Sequence, residues 1–201
     1  MLYIVSGFMR SGTSMMMDAI SAGGRSHGLR CEWSRERDEM MNRIHADAGF
    51  TPNESYREVP LQEYISLTFP LQYDECLIKI MSWGLREMRK IPHRIVFMLR
   101  NPAEIAESME RSFGHGPVML QDGIKQDWRQ NEAAWRVCYW RQMKAAIVAA
   151  ETRVDCQSLT VLDYANVIRD PAWAMFTLSH NWPIDAVLAA SVINPEKKRV
   201  A

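Results

Sequence analysis

Ile4–Ser14 reads IVSGFMRSGTS. The short run containing Tyr3, Ile4 and Val5 stops at glycine and predicts a strand over Leu2–Ser6. The helix expected next begins around Gly12 and carries TSMMMDAISA to Gly23 and Gly24, whose lack of a side chain suits a helix stop. Two glycines five apart between a strand and a helix that opens on hydroxyls satisfy most of GxxxxGK[ST]. In such a turn successive backbone N–H groups line a concavity and the helix dipole adds partial positive charge, so an anion is wrapped.

Thr13 stands where that pattern carries lysine. In nucleoside triphosphate enzymes the lysine reaches the β and γ phosphates and the next hydroxyl binds magnesium. Arg10, three residues earlier, returns a cation to the loop at another place, where its fork closes on one anionic group. The loop therefore suits a single bridging phosphate with a leaving bond better than a magnesium-bound triphosphate tail.

Outward from the loop, strands alternate with helical patterns. Glu75–Ile80 (ECLIKI), His93–Leu99 (HRIVFML) and Ser158–Leu162 (SLTVL) are the further strands. The unbroken Ile95–Leu99 run is that of a parallel strand covered on both faces. HGLRCEW holds a possible short strand before a charged helical segment, TPNESYREVP is turn-rich, and Pro60 opens a helix. A long helix is expected over Asp122–Glu151, with Trp128, Trp135, Tyr139 and Ile147 on its core-facing stripe. Ser112–Gly123, with three glycines and a proline, is expected to be a loop, either a lid or a surface connection. The fold class that follows is α/β: a three-layer sandwich around a central, mainly parallel sheet, P-loop NTPase-like.

A chain of 201 residues, 47% hydrophobic and 24% charged, buries one substantial core, and one domain over residues 1–201 is expected. Lys plus Arg (24) balances Asp plus Glu (24), which argues against a general grip on nucleic acid or an anionic membrane and makes any anion site local. Cys31, Cys76, Cys138 and Cys156 form no CxxC pair, so neither a zinc ribbon nor a redox motif is indicated, and no metal site is expected. Without a signal-peptide pattern or a bilayer-length apolar run, the expected compartment is the cytoplasm.

A second anion motif follows the best strand. After Arg100, Asn101-Pro102-Ala103-Glu104 has an N-cap, a proline at the first helical position and a glutamate three after the cap, as in a capping box. Ser108, seven residues beyond Asn101, returns to the same helical face, so Arg100 and Ser108 are expected to converge on one anion. Ligands of open α/β sheets bind beyond the carboxyl ends of strands, the edge expected for Arg10 and Arg100 alike.

Arg10-Ser11-Gly12-Thr13-Ser14 resembles the 5'-phosphosulfate loop of the sulfotransferases that use 3'-phosphoadenosine 5'-phosphosulfate (PAPS), and SGFMRSGTSMMMDAISAGG is similar to its short bacterial version. Phe8-Met9 depart from it, since the family favours proline there. Arg100 and Ser108 match the family's RxxxxxxxS pattern for the 3'-phosphate, LDYANVIRDP resembles a segment after its last main strand, and VINPEKKR resembles its C-terminal segment.

The resemblance implies transfer of a sulfuryl group from PAPS, as donor substrate, to a hydroxyl or amine of a small-molecule or carbohydrate acceptor, with no metal. It implies donor binding by Arg10, Ser11, Gly12, Thr13, Ser14, Arg100 and Ser108, with Lys197, Lys198 or Arg199 as further candidates at the 3'-phosphate. Arg10 is also expected to stabilise the leaving phosphate. For the base, Glu32 is the first candidate, because a returning strand would end near the loop and Arg30-Cys31-Glu32 partly matches the family's tyrosylprotein branch. Glu36, His45 and Glu58 compete with it. Lys79 matches a lysine of the bacterial branch and is read either as facing the donor or as a snorkelling edge lysine. Two other readings stay open: a P-loop small-molecule kinase, and a non-catalytic nucleotide-binding protein that retains the fold.

Overall fold

The computed structural model describes residues 1–31, 75–88, 90–121 and 124–194, together with Glu39 and Arg43. β1 (Leu2–Gly7), β2 (Arg30–Cys31), β3 (Cys76–Lys79), β4 (His93–Leu99) and β7 (Cys156–Asp163) form a parallel sheet in the order β2-β3-β1-β4-β7. β5 (Val118–Gln121) and β6 (Ile124–Asp127) make a separate antiparallel pair.

Side chains alternate across a strand, and here both faces are buried. Leu2, Ile4, Ile78, Ile95 and Phe97 enter a core closed by α2 (Pro102–Phe113) and α3 (Glu132–Glu151), through Ile105, Met109, Trp135, Tyr139 and Met143. Tyr3, Val5, Leu77, Val96 and Met98 enter the opposite core. That one is closed by α1 (Thr13–Gly24), α4 (Tyr164–Arg169), α5 (Pro171–Ser179) and α6 (Ala186–Ser191). The result is the expected three-layer α/β sandwich of the P-loop type. Among the described residues no helix is long and apolar enough to cross a membrane.

His93–Leu99 is a strand residue for residue as expected, and β1 runs one residue beyond Ser6. The Glu75–Ile80 expectation shortens to Cys76–Lys79, and Ser158–Leu162 lengthens to Cys156–Asp163.

Two expectations are corrected between α2 and β7. The helix predicted over Asp122–Glu151 begins only at Glu132; β6 and a 3-10 turn (Trp128–Asn131) precede it. Asp127 accepts from the Arg129 N–H and Asn131 from the Ala134 N–H, so two caps lie inside the predicted helix and divide it. Trp128 still keeps the helical spacing and is buried, donating its indole N–H to Glu110. Ser112–Gly123, expected to be all loop, contains β5, whose hydrogen bonds come from β6, a partner its own composition does not display.

Candidate functional site

Because the sheet is parallel, β1, β3, β4 and β7 all deliver their last residues to one edge. There the backbone after β1 turns tightly. Phe8 O accepts from the Ser11 hydroxyl at 2.6 Å and the Ser11 N–H at 3.2 Å, so fully buried Ser11 shapes the loop. At Gly7 (φ 152°) a Cβ would sit 2.6 Å from the Met98 carbonyl oxygen, and at Gly12 (φ 92°) 2.5 Å from the Tyr164 ring. Arg10 itself is left-handed at φ 63°, a conformation costing a non-glycine residue about 1 kcal/mol.

Two hydrogen bonds hold Arg10 in that conformation. Its Nε donates to Ser108 Oγ at 2.9 Å, and its carbonyl accepts from Arg100 Nη1 at 2.9 Å. The two anion motifs thus meet: Arg10, Arg100 and Ser108 form one linked cluster. Arg100 is only 8% exposed. Its Nε donates to Glu104 at 3.0 Å, and its guanidinium lies 4.4 Å over the Tyr164 ring, a cation–π arrangement. Tyr164 is therefore packed between Gly12 of the first loop and Arg100 of the second.

Asn101 caps α2 as expected, accepting from the Ala103 N–H, with Pro102 at the first helical turn. The capping-box expectation for Glu104 is corrected: its carboxylate pairs with Arg100, because a buried guanidinium is a stronger partner than a neutral backbone N–H.

Lys79 ends β3 and is 1% exposed; its Nζ donates to Ser14 Oγ at 3.2 Å. The edge-lysine reading of Lys79 is therefore replaced by a buried one. A cation now touches the hydroxyl that binds magnesium in a triphosphate loop. α2 to α6 are each capped by an Asn or Asp side chain: Asn101, Asn131, Asp163, Asp170 and Asp185. α1 has no side-chain cap, so its first N–H groups face the loop's concavity with the dipole unneutralised.

Phe8, where proline was expected by resemblance, is wedged among rings: Trp83 at 6.2 Å, Trp135 at 5.8 Å and Tyr139 at 5.6 Å, all edge-on. Buried Tyr139 also accepts from the Arg100 backbone N–H at 3.3 Å, and burial pushes its hydroxyl pKa up to about 12, so it stays a neutral partner.

Of the other sequence candidates, Thr13 is buried and Ser14 half-buried at the start of α1. Glu32, Glu36, His45, Glu58, Lys197, Lys198 and Arg199 lie outside the described residues. Among the described residues no group of three or more His, Cys, Asp or Glu side chains is arranged to hold a metal ion. Sequence reasoning placed Tyr139 on a core-facing stripe, which its burial bears out, but gave neither Tyr139 nor Tyr164 a role at the site. For Tyr164 there was a usable signal: it is the first residue after a core strand, on the edge where ligands bind.

No protein-family model matches the chain, and no curated protein matches it in sequence. Among solved structures, the sulfotransferase STF1 from Mycobacterium tuberculosis H37Rv aligns over 98% of this chain and 75% of its own, at 12% identity and a TM-score of 0.51. The sulfotransferase domain of the Synechococcus PCC 7002 olefin synthase aligns over 97% of this chain and 76% of its own, at 17% identity and a TM-score of 0.46. A sugar kinase from Janibacter sp. HTCC2649 aligns over 96% and 98%, at 16% identity and a TM-score of 0.42. What the chain shares with STF1 at this identity is the fold, a P-loop α/β sandwich that sulfotransferases use.

Proposed function

We propose that the protein transfers a sulfuryl group from PAPS to a hydroxyl or amine of an acceptor. The observation that carries this reading is the link between Arg10 and Arg100, which ties two arginines from separate strand ends into one anion site. A donor with phosphates at both its 5' and 3' positions asks for a cation at each, and Arg10 and Arg100 come from two separate strand ends.

The surroundings favour sulfuryl over phosphoryl transfer. β3 and β4, the neighbours of β1, lead into Lys79 and Arg100, so cations stand where a kinase needs a magnesium-binding acid. Asp163, the acid at the end of β7, is engaged as the cap of α4.

In the proposed reaction the acceptor oxygen or nitrogen bonds to sulfur as the bond from sulfur to the bridging oxygen breaks. The bisphosphate leaves with the electron pair. Arg10, Lys79 and the N–H groups opening α1 meet the charge that develops on the leaving oxygen, in a largely dry setting where such interactions are strongest. Arg100, presented by Glu104, the Arg10 carbonyl and Tyr164, holds the 3'-phosphate, and Ser108 supports it through Arg10. Gly12, Thr13 and Ser14 bring the backbone and hydroxyls close to the 5'-phosphate, with Ser11 holding the turn. Glu32 is proposed to take the acceptor's proton.

Titration calorimetry of the full chain with 3'-phosphoadenosine 5'-phosphate in EDTA tests this reading. Binding without magnesium, together with label transfer from radioactive PAPS to an acceptor mixture, is expected. Tight ATP binding that requires magnesium would overturn it.

A further inference from the structure

α5 and α6 pack together in the outer layer that also holds α1. α6 approaches α1 so closely that a Cβ at Gly23 would sit 2.6 Å from the Asp185 carbonyl oxygen. The inward sides of α5 and α6 are fully buried through Ala174, Met175, Leu178 and Ala189. Their outward sides are apolar as well. Trp173 (53% exposed) and Phe176 (61%), three apart, share a face of α5, and Phe176 meets the His180 ring edge-on at 4.9 Å. Leu188 and Val192, four apart, share a face of α6 and its C-cap, with Val187 (79% exposed) beside them. One apolar stripe suffices to pack a helix on a core; helices that are apolar all round belong in an interior.

Charge is missing from the same stretch. Between Pro171 and Asn194 the only acid or base besides His180 is Asp185, in a chain of which 24% of the residues are charged. Asp185 is spent as the cap of α6, accepting from the Val187 and Leu188 N–H groups. The exposed apolar residues of α3, Val137, Trp140 and Val148, stand instead among exposed Arg136, Arg141 and Lys144.

A face without charge offers no ion-pair partner to nucleic acid, to an anionic membrane or to a charged protein surface. It does suit its own copy, because a two-fold contact sets the same patch against itself and needs no opposite charges. The area is also sufficient. With an aromatic side chain covering about 150–250 Å², the exposed parts of these five residues offer on the order of 500 Å². Two such faces bury about 1,000 Å², the size from which a specific interface holds.

We infer that the outer face of α5 and α6 pairs with the same face of a second copy, giving a two-fold dimer centred on Trp173, Phe176, Val187, Leu188 and Val192. The dimer is independent of the sulfuryl-transfer reading: the face meets α1 at Gly23, the end away from the loop.

Light scattering of the full chain at about 100 μM, well above the micromolar dissociation constant expected near that size, should give twice the chain mass. Phe176→Glu and Val187→Glu each bury an unpaired carboxylate in the contact and should raise the dissociation constant by about a hundredfold or more. Both positions are exposed, so each variant should keep the wild-type circular dichroism spectrum. Val137→Glu, on α3, should leave the dimer as it is. A monomer at that concentration, a dimer that survives both carboxylates, or one lost equally in Val137→Glu would overturn the assignment. A monomeric chain that floats with phosphatidylcholine vesicles would overturn it too, and give the face to a lipid surface.

Discussion

The guanidinium of Arg100 donates to the backbone carbonyl of Arg10 at 2.9 Å, so the residue that ends one strand fixes the conformation of the loop that follows another. Arg10 is left-handed, and this bond together with the one from its side chain to Ser108 holds the loop backbone and the Arg10 guanidinium against α2 and the end of β4.

Arg100→Ala is expected to weaken 3'-phosphoadenosine 5'-phosphate binding by about thirtyfold, the equivalent of roughly 2 kcal/mol for a charge-assisted hydrogen bond in a dry site. AMP, which lacks the 3'-phosphate, should be weakened far less. Equal weakening of the two nucleotides in calorimetry would show that Arg100 acts on the loop alone.

Lys79→Met removes the cation beside Ser14 and keeps the length of the stem. The expected result is a fall in kcat of about a hundredfold, as for other groups that meet charge in a transition state, with bisphosphate affinity changed much less. Steady-state kinetics with radiolabelled PAPS reads the split; an effect confined to KM would remove Lys79 from the chemistry.

Gly12→Ala should lower stability by about 1–3 kcal/mol, from a left-handed backbone and a Cβ driven into the Tyr164 ring. Adding Tyr164→Ala should relieve the ring clash, so the pair costs less than the sum of the single changes in urea unfolding. Strict additivity would mean that the ring and the loop are not coupled.

Acid should destabilise the fold through His93. This histidine, the first residue of β4, is fully buried; its Nδ1 lies 2.8 Å from the Ile91 carbonyl and 3.6 Å from Asp155, and its Nε2 has no partner among the described residues. Burial lowers its pKa, more than the Ile91 carbonyl and Asp155 raise it. The unfolded chain therefore takes up the proton more readily, and stability should be level above about pH 6.5 and fall below it. For Asp155, burial acts upward, but the hydrogen bonds from Arg153 and the nearby positive charge outweigh it and hold the carboxyl low, adding a further decline as pH drops below about 4. Urea midpoints between pH 8 and 5 should show the first decline, and His93→Gln should flatten it.

The core was legible because parallel strands covered on both faces carry unbroken apolar runs: β4 could be bounded to the residue, and β1 nearly so. The segment before α3 was not, because Asp127 and Asn131 read equally well as surface residues of a longer helix until β6 pairs with β5. The role of Phe8 was hidden for a similar reason. Its anchors, Trp83, Trp135 and Tyr139, lie more than 70 residues away in sequence, and together they brace the loop from outside.

The sequence alone determined the strand–loop–helix unit, the cation moved from position 13 to Arg10, and the second motif at Arg100 and Ser108, because glycines, caps and periodicity act over a few residues. Only the tertiary structure decided how those charges are shared. Ser108 serves Arg10, Glu104 serves Arg100, Lys79 serves Ser14, and Tyr164 separates the two loops. Those pairings depend on which strand ends lie side by side, and strand order is set by packing across the whole sheet, not by any local run of residues.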